Sequence, residues 1–520
     1  MKRDEMLASL GRRRGPWDIA IIGGGATGMG IAVDAASRGY SVVLLEQGDF
    51  GAGTSSRSTK LVHGGVRYLQ QGNLSLVREG LRERSILRRN APHLVTSLRL
   101  VIPAYEWWER PWYGAGLKLY DLLASRSDFG PSRLLSRAAT LRLLPTMQPA
   151  GLRGGVLYHD GQFDDARLLI HLAWTAADRG AVLLNYAPVL GLTTNPAGTV
   201  DGILARDLES GRELRLPARV VINATGAFAD AVRRLAAPGV DAMVAPSQGT
   251  HIVLSHEFLP GSTAIMVPRT RDGRVLFAIP WRGHTLIGTT DTPIPHPLVE
   301  PRPLAQEIDF LIDTIGRYLR QAPVRADVLS VFAGIRPLLG GQQARGTAEL
   351  SRDYTIRVDR SGLVTTTGGK WTTYRRMAED TIDRVASLGL LPAAPCVTTS
   401  LRIHGFDPDA ARHGALCLYG ADAPAIAALS AEDPALAERF HRDLNFTGAE
   451  VIWAARHEMA RTVGDVLARR GRALFLNARL AVDIAPRVAA IMAAELGHGA
   501  EWERSQVAAF TLLAQSYLQV

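Results

Sequence analysis

Residues 18–46 read DIAIIGGGATGMGIAVDAASRGYSVVLLE, and their order decides the fold. An apolar strand at 19–22 runs into a glycine turn. A helix with small residues facing a sheet follows, and a second apolar strand at 42–45 ends in Glu46. Gly23, Gly25 and Gly28 satisfy GxGxxG, and each glycine has a physical reason: the tight turn, the close approach of backbone to a pyrophosphate, and close helix-to-strand packing. The helix N-terminus then faces the phosphates, and Glu46, about 20 residues beyond the turn, is placed to accept hydrogen bonds from ribose hydroxyls. A lone GxGxxG is a weak signal. Strand, turn, helix and acid in sequence make a dinucleotide site, with NAD and FAD both still open.

The next segment, GTSSRSTKLVHGGVRYL at 53–69, follows the acid with small hydroxyl residues and paired glycines. These suit backbone packing along a long cofactor and favour FAD over NAD. Further along, helical periodicity spans 74–89, prolines 92, 103 and 111 break the pattern around an aromatic-rich stretch at 105–120, and a helix at 164–179 leads to a strand at 182–184. A buried strand at 220–222 ends in NATG. From 250 to 291 the short segments HIVLS, AIMVP, VLFAIPW and TLIGTTD predict an antiparallel sheet that floors a substrate domain. A strand at 363–367 then meets GGK and a helix to about 387. After 391 the chain turns alanine-rich, and Thr447 and Glu450 form a capping box that predicts a helix running toward Gly471.

Composition bounds the rest. A chain of 520 residues, 47% hydrophobic, supports two or three domains with true cores. No uninterrupted apolar run approaches the ~18–20 residues of a bilayer span, and the N-terminal residues lack the apolar stretch of a secretory signal. Two cysteines, Cys396 and Cys417, make no disulfide framework and fit a reducing cytoplasm. The net charge of +9 favours nucleic acid, an anionic substrate or an anionic membrane surface. No zinc-finger spacing, aromatic RNA-binding signature or lysine tract supports nucleic acid, so none is expected as a partner.

The ordered segments IIGGGATGMGIA (21–32), TSSRSTKLVHGGVRYLQ (54–70), APHL (91–94), DGQFDDARL (160–168), NATGAFAD (223–230), PSQGTHIVL (246–254), IGTTDTP (287–293), GIRPL (334–338), SRDY (351–354) and GGKWTTYRRMAEDTID (368–383) together resemble the FAD-dependent, respiratory glycerol-3-phosphate dehydrogenases. The resemblance covers about 17–390 well and extends through 447–470. It implies an α/β (α+β) protein with a Rossmann-like FAD-binding domain of the glutathione-reductase/D-amino-acid-oxidase type, an antiparallel-sheet substrate domain and a C-terminal helical domain. The expected division is 16–90, 151–245 and 330–390 for a discontinuous FAD-binding domain, 91–150 and 246–329 for the substrate cap, and 391–520 for the helical domain. No EF-hand loop is visible near the C-terminus, so calcium control is not expected and the pattern looks bacterial. No metal site is expected.

What the resemblance implies chemically is oxidation of sn-glycerol 3-phosphate to dihydroxyacetone phosphate, with hydride to flavin and electrons passed to membrane quinone. A glycerol-3-phosphate oxidase using oxygen is the alternative, and an amino-acid or amine oxidase on the same fold is the competitor further off. Arg336 and Arg352 match arginines at the substrate phosphate, where a guanidinium fork suits bidentate contact. Arg67 and Tyr68 match a pair on the substrate side of the flavin, and a cation there also stabilises charge on the reduced ring. His251 matches a histidine near the substrate hydroxyl, and an imidazole suits proton uptake at neutral pH. Lys370 matches a lysine near both flavin and substrate and is the other candidate base. The expected catalytic set is thus His251, Lys370 and Arg67. The substrate set adds Tyr68, Arg336 and Arg352. The cofactor set is Gly23, Gly25, Gly28, Glu46, Thr54, Ser55, Ser58, Lys60, His63, Gly64, Ala224, Gly226, Gly334, Gly369, Lys370 and Thr372.

Two features have competing readings. The stretch 105–120, with Trp107, Trp108, Trp112 and Tyr113 beside Lys118, suits a membrane interface or a quinone passage as well as core packing. The basic run Arg12 to Arg14 reads as a solvated tail or an anionic-lipid contact. Asp164 and Asp165 are adjacent at a helix start and are expected to cap it. A cytoplasmic protein held peripherally on the inner face of the membrane, with a homodimer possible, is the expected setting.

Overall fold

The computed structural model describes residues 1–66, 69, 72–124, 129–271, 273–340 and 353–518. Three strands of the opening unit and its continuation, Trp17–Ile22, Val42–Leu45 and Val182–Leu184, lie parallel, and on the other side of the first come Glu213–Asn223 and Val364–Gly368. Ile19, Ile21, Leu44, Val220 and Ile222 are buried, as parallel strands covered on both faces require. The helices Ala26–Ser37, Asp165–Asp178 and Tyr374–Ser387 cover one face, and the hairpin Val189–Thr194 and Val200–Arg206 helps cover the other. The strand carboxyl ends carry the glycine turn, Glu46 and the NATG segment, so the cofactor edge of the sheet is built from three distant stretches of chain.

A second sheet takes the strands expected at 250–291. Val244–Ser255 pairs antiparallel with His284–Gly288, which pairs with Leu276–Trp281, which pairs with Thr263–Val267. The next neighbour, Val95–Ala104, is parallel to Thr263–Val267, so the sheet is mixed rather than purely antiparallel. The strands Leu61–Val62, Gly154–Phe163 and Ser330–Leu339 also pair here, although the sequence division places them in the FAD-binding part. Their short apolar runs suit either sheet. Register with partners far along the chain decides, and no local pattern encodes it.

The C-terminal region is helical, with one correction. The helix opened by the Thr447 and Glu450 capping box is Gly448–His457 and does not continue to Gly471. Met459 takes a positive φ of 56°, the chain turns, and a separate segment of wider helical turn, Asp465–Arg470, follows. The apolar stretch Ala410–Glu432 has the length and hydropathy to cross a bilayer, but Gly414 and Gly420 leave helical geometry within it, so it is not one rod. At the other end, residues 3–12 form a helix whose Arg3 is buried against Asp207 and Asn185. Arg13 reaches the Ser41 hydroxyl and lies over Trp17, while Arg12 and Arg14 are exposed.

His404 fastens the segment after 400 to the nucleotide domain. Its Nδ1 meets Asp178 at 2.8 Å, its Nε2 meets Asp422 at 3.0 Å, and Trp174 stacks on it at 4.5 Å. Burial alone would lower its pKa, but the bonds to the two carboxylates raise it to about 9. A raised pKa contributes stability that is complete below the unfolded value near 6.5 and lost as pH climbs through 9. The melting temperature of the protein is therefore expected to exceed that of His404→Gln most at pH 6, with the gap closing by pH 9.5. A gap that stays constant across that range would show that the imidazolium is not what fastens the segment.

Candidate active site

A single cavity of about 710 Å³ runs from the glycine turn to the second sheet. At its first end stand Gly23, Gly25, Ala26, Glu46, Ala224 and Gly226. Gly23 has φ of +108°, and a Cβ there would lie 2.8 Å from the Ala224 carbonyl oxygen. Gly28 is not on the cavity wall; a Cβ at that position would meet the Gly23 carbonyl oxygen at 1.9 Å, so its role is the close packing of helix on turn. Glu46 accepts the Gly24 N–H at 2.7 Å and the Gly48 N–H at 3.0 Å. A carboxylate has about four acceptor positions, so capacity for ribose hydroxyls remains. Ser55 Oγ accepts the Ala26 N–H at the helix start, and Thr54 donates to the Ile335 carbonyl at 2.6 Å, tying the loop after Glu46 to the second sheet.

Along the middle lie Ser58, His63, Gly334, Gly369, Lys370 and Thr372, as expected from the sequence. Besides Gly28, two expected cofactor residues are off the cavity wall. Gly64 packs where a Cβ would strike Leu81 and the Tyr120 hydroxyl, and its N–H donates to that hydroxyl at 2.9 Å. Lys60 is wholly buried, donating to Asp165 at 2.7 Å and to the Ser56 carbonyl at 2.9 Å, with Trp281, Phe332 and Phe475 around its ammonium. Burial pushes its pKa down to about 7 against the pull of Asp165. Asp164 does cap its helix, accepting from the Arg167 N–H. Asp165 does something else: it gathers Ser58, Lys60 and Arg472 in the interior.

The far end is made by strand register. Arg336 lies directly opposite Ser247, and His251 stands four residues further along the same strand, so Ser247, Gly249, His251 and Arg336 share a face. Gly249 leaves the space between them: a Cβ there would sit 2.4 Å from the Arg336 guanidinium. Gly288, opposite His251, does the same for the imidazole, with a Cβ falling 2.1 Å from Cδ2. His251 stacks on Phe332 at 4.9 Å and meets the Thr59 hydroxyl through Nε2 at 2.9 Å. Burial first, then the charges of Lys60 and Arg336, holds its pKa well below the usual imidazole value, so the ring is neutral and able to accept a proton at pH 7.

Arg336 donates to Thr289 Oγ1 at 3.0 Å and pairs with Asp291 at 3.3 Å, and Arg274 donates to the Asp291 carbonyl oxygen at 2.6 Å. Arg336 on the Asp291 carboxylate and Arg274 on its backbone carbonyl thus bring two guanidinium groups to one residue of the cavity wall, which suits an anionic ligand. Arg274, Asp291 and Thr59 were not singled out from the sequence. Arg274 precedes a strand without a motif of its own, and the other two lie within quoted segments but gain meaning only from register. Arg57 also reaches the wall, bonded to Glu300 at 2.7 Å and to the Tyr517 hydroxyl at 2.8 Å, and that hydroxyl donates to Glu300. Arg67, Tyr68 and Arg352 lie outside the described residues.

The cavity thus joins a glycine turn with a crowded backbone and an acid to a cationic, histidine-bearing end, and these residues fit FAD. Comparison with known proteins agrees. Residues 18–375 match the family described as FAD dependent oxidoreductase, and 336–506 match the C-terminal domain of alpha-glycerophosphate oxidase. A mitochondrial glycerol-3-phosphate dehydrogenase of Arabidopsis thaliana is 40% identical, covering 94% of this chain and 84% of its own length. The Homo sapiens mitochondrial enzyme is 38% identical over 95% of this chain and 72% of its own. The structure of the Bacillus halodurans glycerol-3-phosphate dehydrogenase complexed with FAD superposes with a TM-score of 0.80 at 29% identity, covering 99% of this chain and 98% of that one. The Mycoplasma pneumoniae L-alpha-glycerophosphate oxidase, at 18% identity and a TM-score of 0.56, shares the fold.

Because the clash at Gly28 is with backbone, it cannot be relieved by a rotamer change. Gly28→Ala is expected to purify with most of its flavin lost, read as visible flavin absorbance per unit of protein absorbance, whereas Gly116→Ala, at a position with open space, retains it. Full flavin content in the first variant would refute this account of the turn.

Proposed function

The chain belongs to the FAD-dependent glycerol-3-phosphate dehydrogenases, and from that premise we propose that it oxidises sn-glycerol 3-phosphate to dihydroxyacetone phosphate and delivers the electrons to membrane quinone. The observation that carries the substrate assignment is the shared face of His251 and Arg336 across Gly249, at the end of the cavity away from the glycine turn. Arg336 and Arg274 bind and orient the phosphate. Asp291 holds both guanidinium groups in place, Arg336 through its carboxylate and Arg274 through its backbone carbonyl. His251 Nε2 is the final acceptor for the proton that leaves the hydroxyl on the central carbon, and its burial keeps water from competing for that nitrogen. When bound, FAD supplies the acceptor for the two electrons of the carbon–hydrogen bond. Lys370, on the cavity wall beside Gly369, is assigned to orient the substrate hydroxyl.

Arg336→Ala is expected to raise KM for glycerol 3-phosphate by about tenfold to a hundredfold, the loss of one charge-assisted contact of roughly 1.5–3 kcal/mol. Anaerobic spectral titration with glycerol 3-phosphate, lactate and glycine should bleach the flavin with the first alone. Bleaching by glycine instead would transfer the chain to an amine-oxidising reaction.

The acceptor has two readings. The names of the relatives favour a dehydrogenase, while the C-terminal family is described from an oxidase. A surface feature favours quinone at a membrane. The helix Glu109–Leu123 turns Gly114, Leu117 and Tyr120 inward and leaves Trp108, Trp112, Leu119 and Leu122 as an outer stripe at helical spacing, with Trp107 beside it; Trp107, Trp112 and Leu122 are 74%, 65% and 76% exposed. Lys118 lies at its border. Such a stripe suits headgroup depth and supports the reading of a protein held peripherally on the anionic inner face of the cytoplasmic membrane. The double variant Trp108→Ser, Trp112→Ser is expected to leave anionic vesicles in a flotation assay that retains the parent protein. The reduced enzyme, mixed with oxygen or a soluble quinone, is expected to reoxidise rapidly only with quinone; rapid reoxidation by oxygen would make it an oxidase.

A further inference from the structure

An imidazole nitrogen has one lone pair, and at His251 Nε2 that position is taken. The Thr59 hydroxyl stands 2.9 Å away, and both residues line the cavity. The other nitrogen, Nδ1, is sealed from solvent with no hydrogen-bond partner among the described residues. With the ring proton on Nδ1, Nε2 is the acceptor and the Thr59 hydroxyl the donor. The ring cannot swing to present Nε2 elsewhere: Phe332 lies flat against it at an interplanar angle of 10°, and the Gly288 backbone faces it where even a methyl group would not fit.

Thr59 is equally fixed. Ser58 on one side gives its N–H and its hydroxyl to Asp165 at 2.9 and 2.7 Å, and Lys60 on the other gives its ammonium to the same carboxylate. A substrate hydroxyl therefore reaches Nε2 either by displacing a hydroxyl anchored on both flanks or by passing its proton through that hydroxyl. A threonine hydroxyl has one proton to give and two lone pairs to accept with, so it does both at once.

Resting on the reading of the site given above, we propose that Thr59 is the proton relay between the substrate hydroxyl and His251. The substrate O–H bond breaks as an O–H bond forms on Thr59 Oγ1, while the original Thr59 O–H bond breaks and an N–H bond forms on His251 Nε2. One proton passes from substrate to imidazole, threonine ends with the proton it received, and no electron changes owner in this exchange. The oxidation of the carbon is the family reaction that accompanies it.

The relay is tested with Thr59→Val, which keeps the shape and removes the hydroxyl, and Thr59→Ser, which restores it. In anaerobic flavin reduction by glycerol 3-phosphate, Thr59→Val is expected to lose about a hundredfold in kcat, the usual size of a lost proton-transfer path, with KM little changed, and Thr59→Ser to recover most of it. Nitrogen NMR of selectively labelled histidine, assigned with His251→Asn, is expected to show the Nε2 resonance of His251 shifted toward a free acceptor in Thr59→Val, with or without bound FAD. A Thr59→Val enzyme with the kcat of the parent, or an unmoved Nε2 resonance, overturns the relay. If the unaltered enzyme is not reduced by glycerol 3-phosphate at all, the substrate reading falls, and the NMR shift still decides the contact between Thr59 and His251.

Discussion

The carboxylate of Asp165 lies at zero side-chain exposure and holds the cofactor loop in place. It receives Ser58 and Lys60 from the loop and Arg472 from a segment 307 residues further along, and Arg472 also donates to the Ser56 carbonyl. Burying such charges has a high desolvation cost, so the cluster does not add stability in proportion to its bonds. What it adds is a fixed geometry. Removing Asp165 leaves Lys60 and Arg472 in the interior without their carboxylate, at about 3–5 kcal/mol. The neighbouring Asp49 repeats the arrangement with Arg469 and Arg470. The helical region after 400 is thus joined to the cofactor loop by ion pairs that exclude water, and not by apolar contact alone.

The cavity divides electrically along its length. Near the glycine turn, backbone N–H groups and a helix N-terminus supply partial positive charge to a phosphate-bearing ligand, and Glu46 supplies acceptors. At the far end the positive charge comes from side chains, Arg336 and Arg274, while His251 is kept neutral by burial and by the charges of Lys60 and Arg336. A base near fixed cations has a weakened affinity for protons, which suits a group that must receive one and release it each cycle.

Much of this was legible in the sequence where backbone geometry dictates residue type. Gly23, Gly25 and Gly28 carry their own reasons, and Glu46 follows by spacing. His251, Arg336 and Lys370 came through resemblance, and the strand registers bring the first two onto one face. Lys60, expected at the cofactor, lies off the cavity wall on Asp165, a partner 105 residues away, and a buried ion pair leaves no local trace. Asp165 was taken for a cap for the same reason. Arg274, Asp291 and Thr59 derive their roles from which strand lies beside which. The break after His457 hinges on the positive φ of Met459, a residue type that gives no warning of it.

The Arg57, Glu300 and Tyr517 triad joins the cavity wall to residues separated by 460 positions in the chain. During synthesis at about 5–20 residues per second, the loop bearing Arg57 exists for roughly 20 to 90 s before Tyr517 is made. The parallel sheet is complete only once Val364–Gly368 is made, and its cavity wall only with Tyr517. A nascent chain interrupted before Tyr517 keeps the Arg57 pairing with Glu300 but lacks the hydroxyl that bonds to both, so the last residues of the chain finish a wall whose first part was made near its beginning.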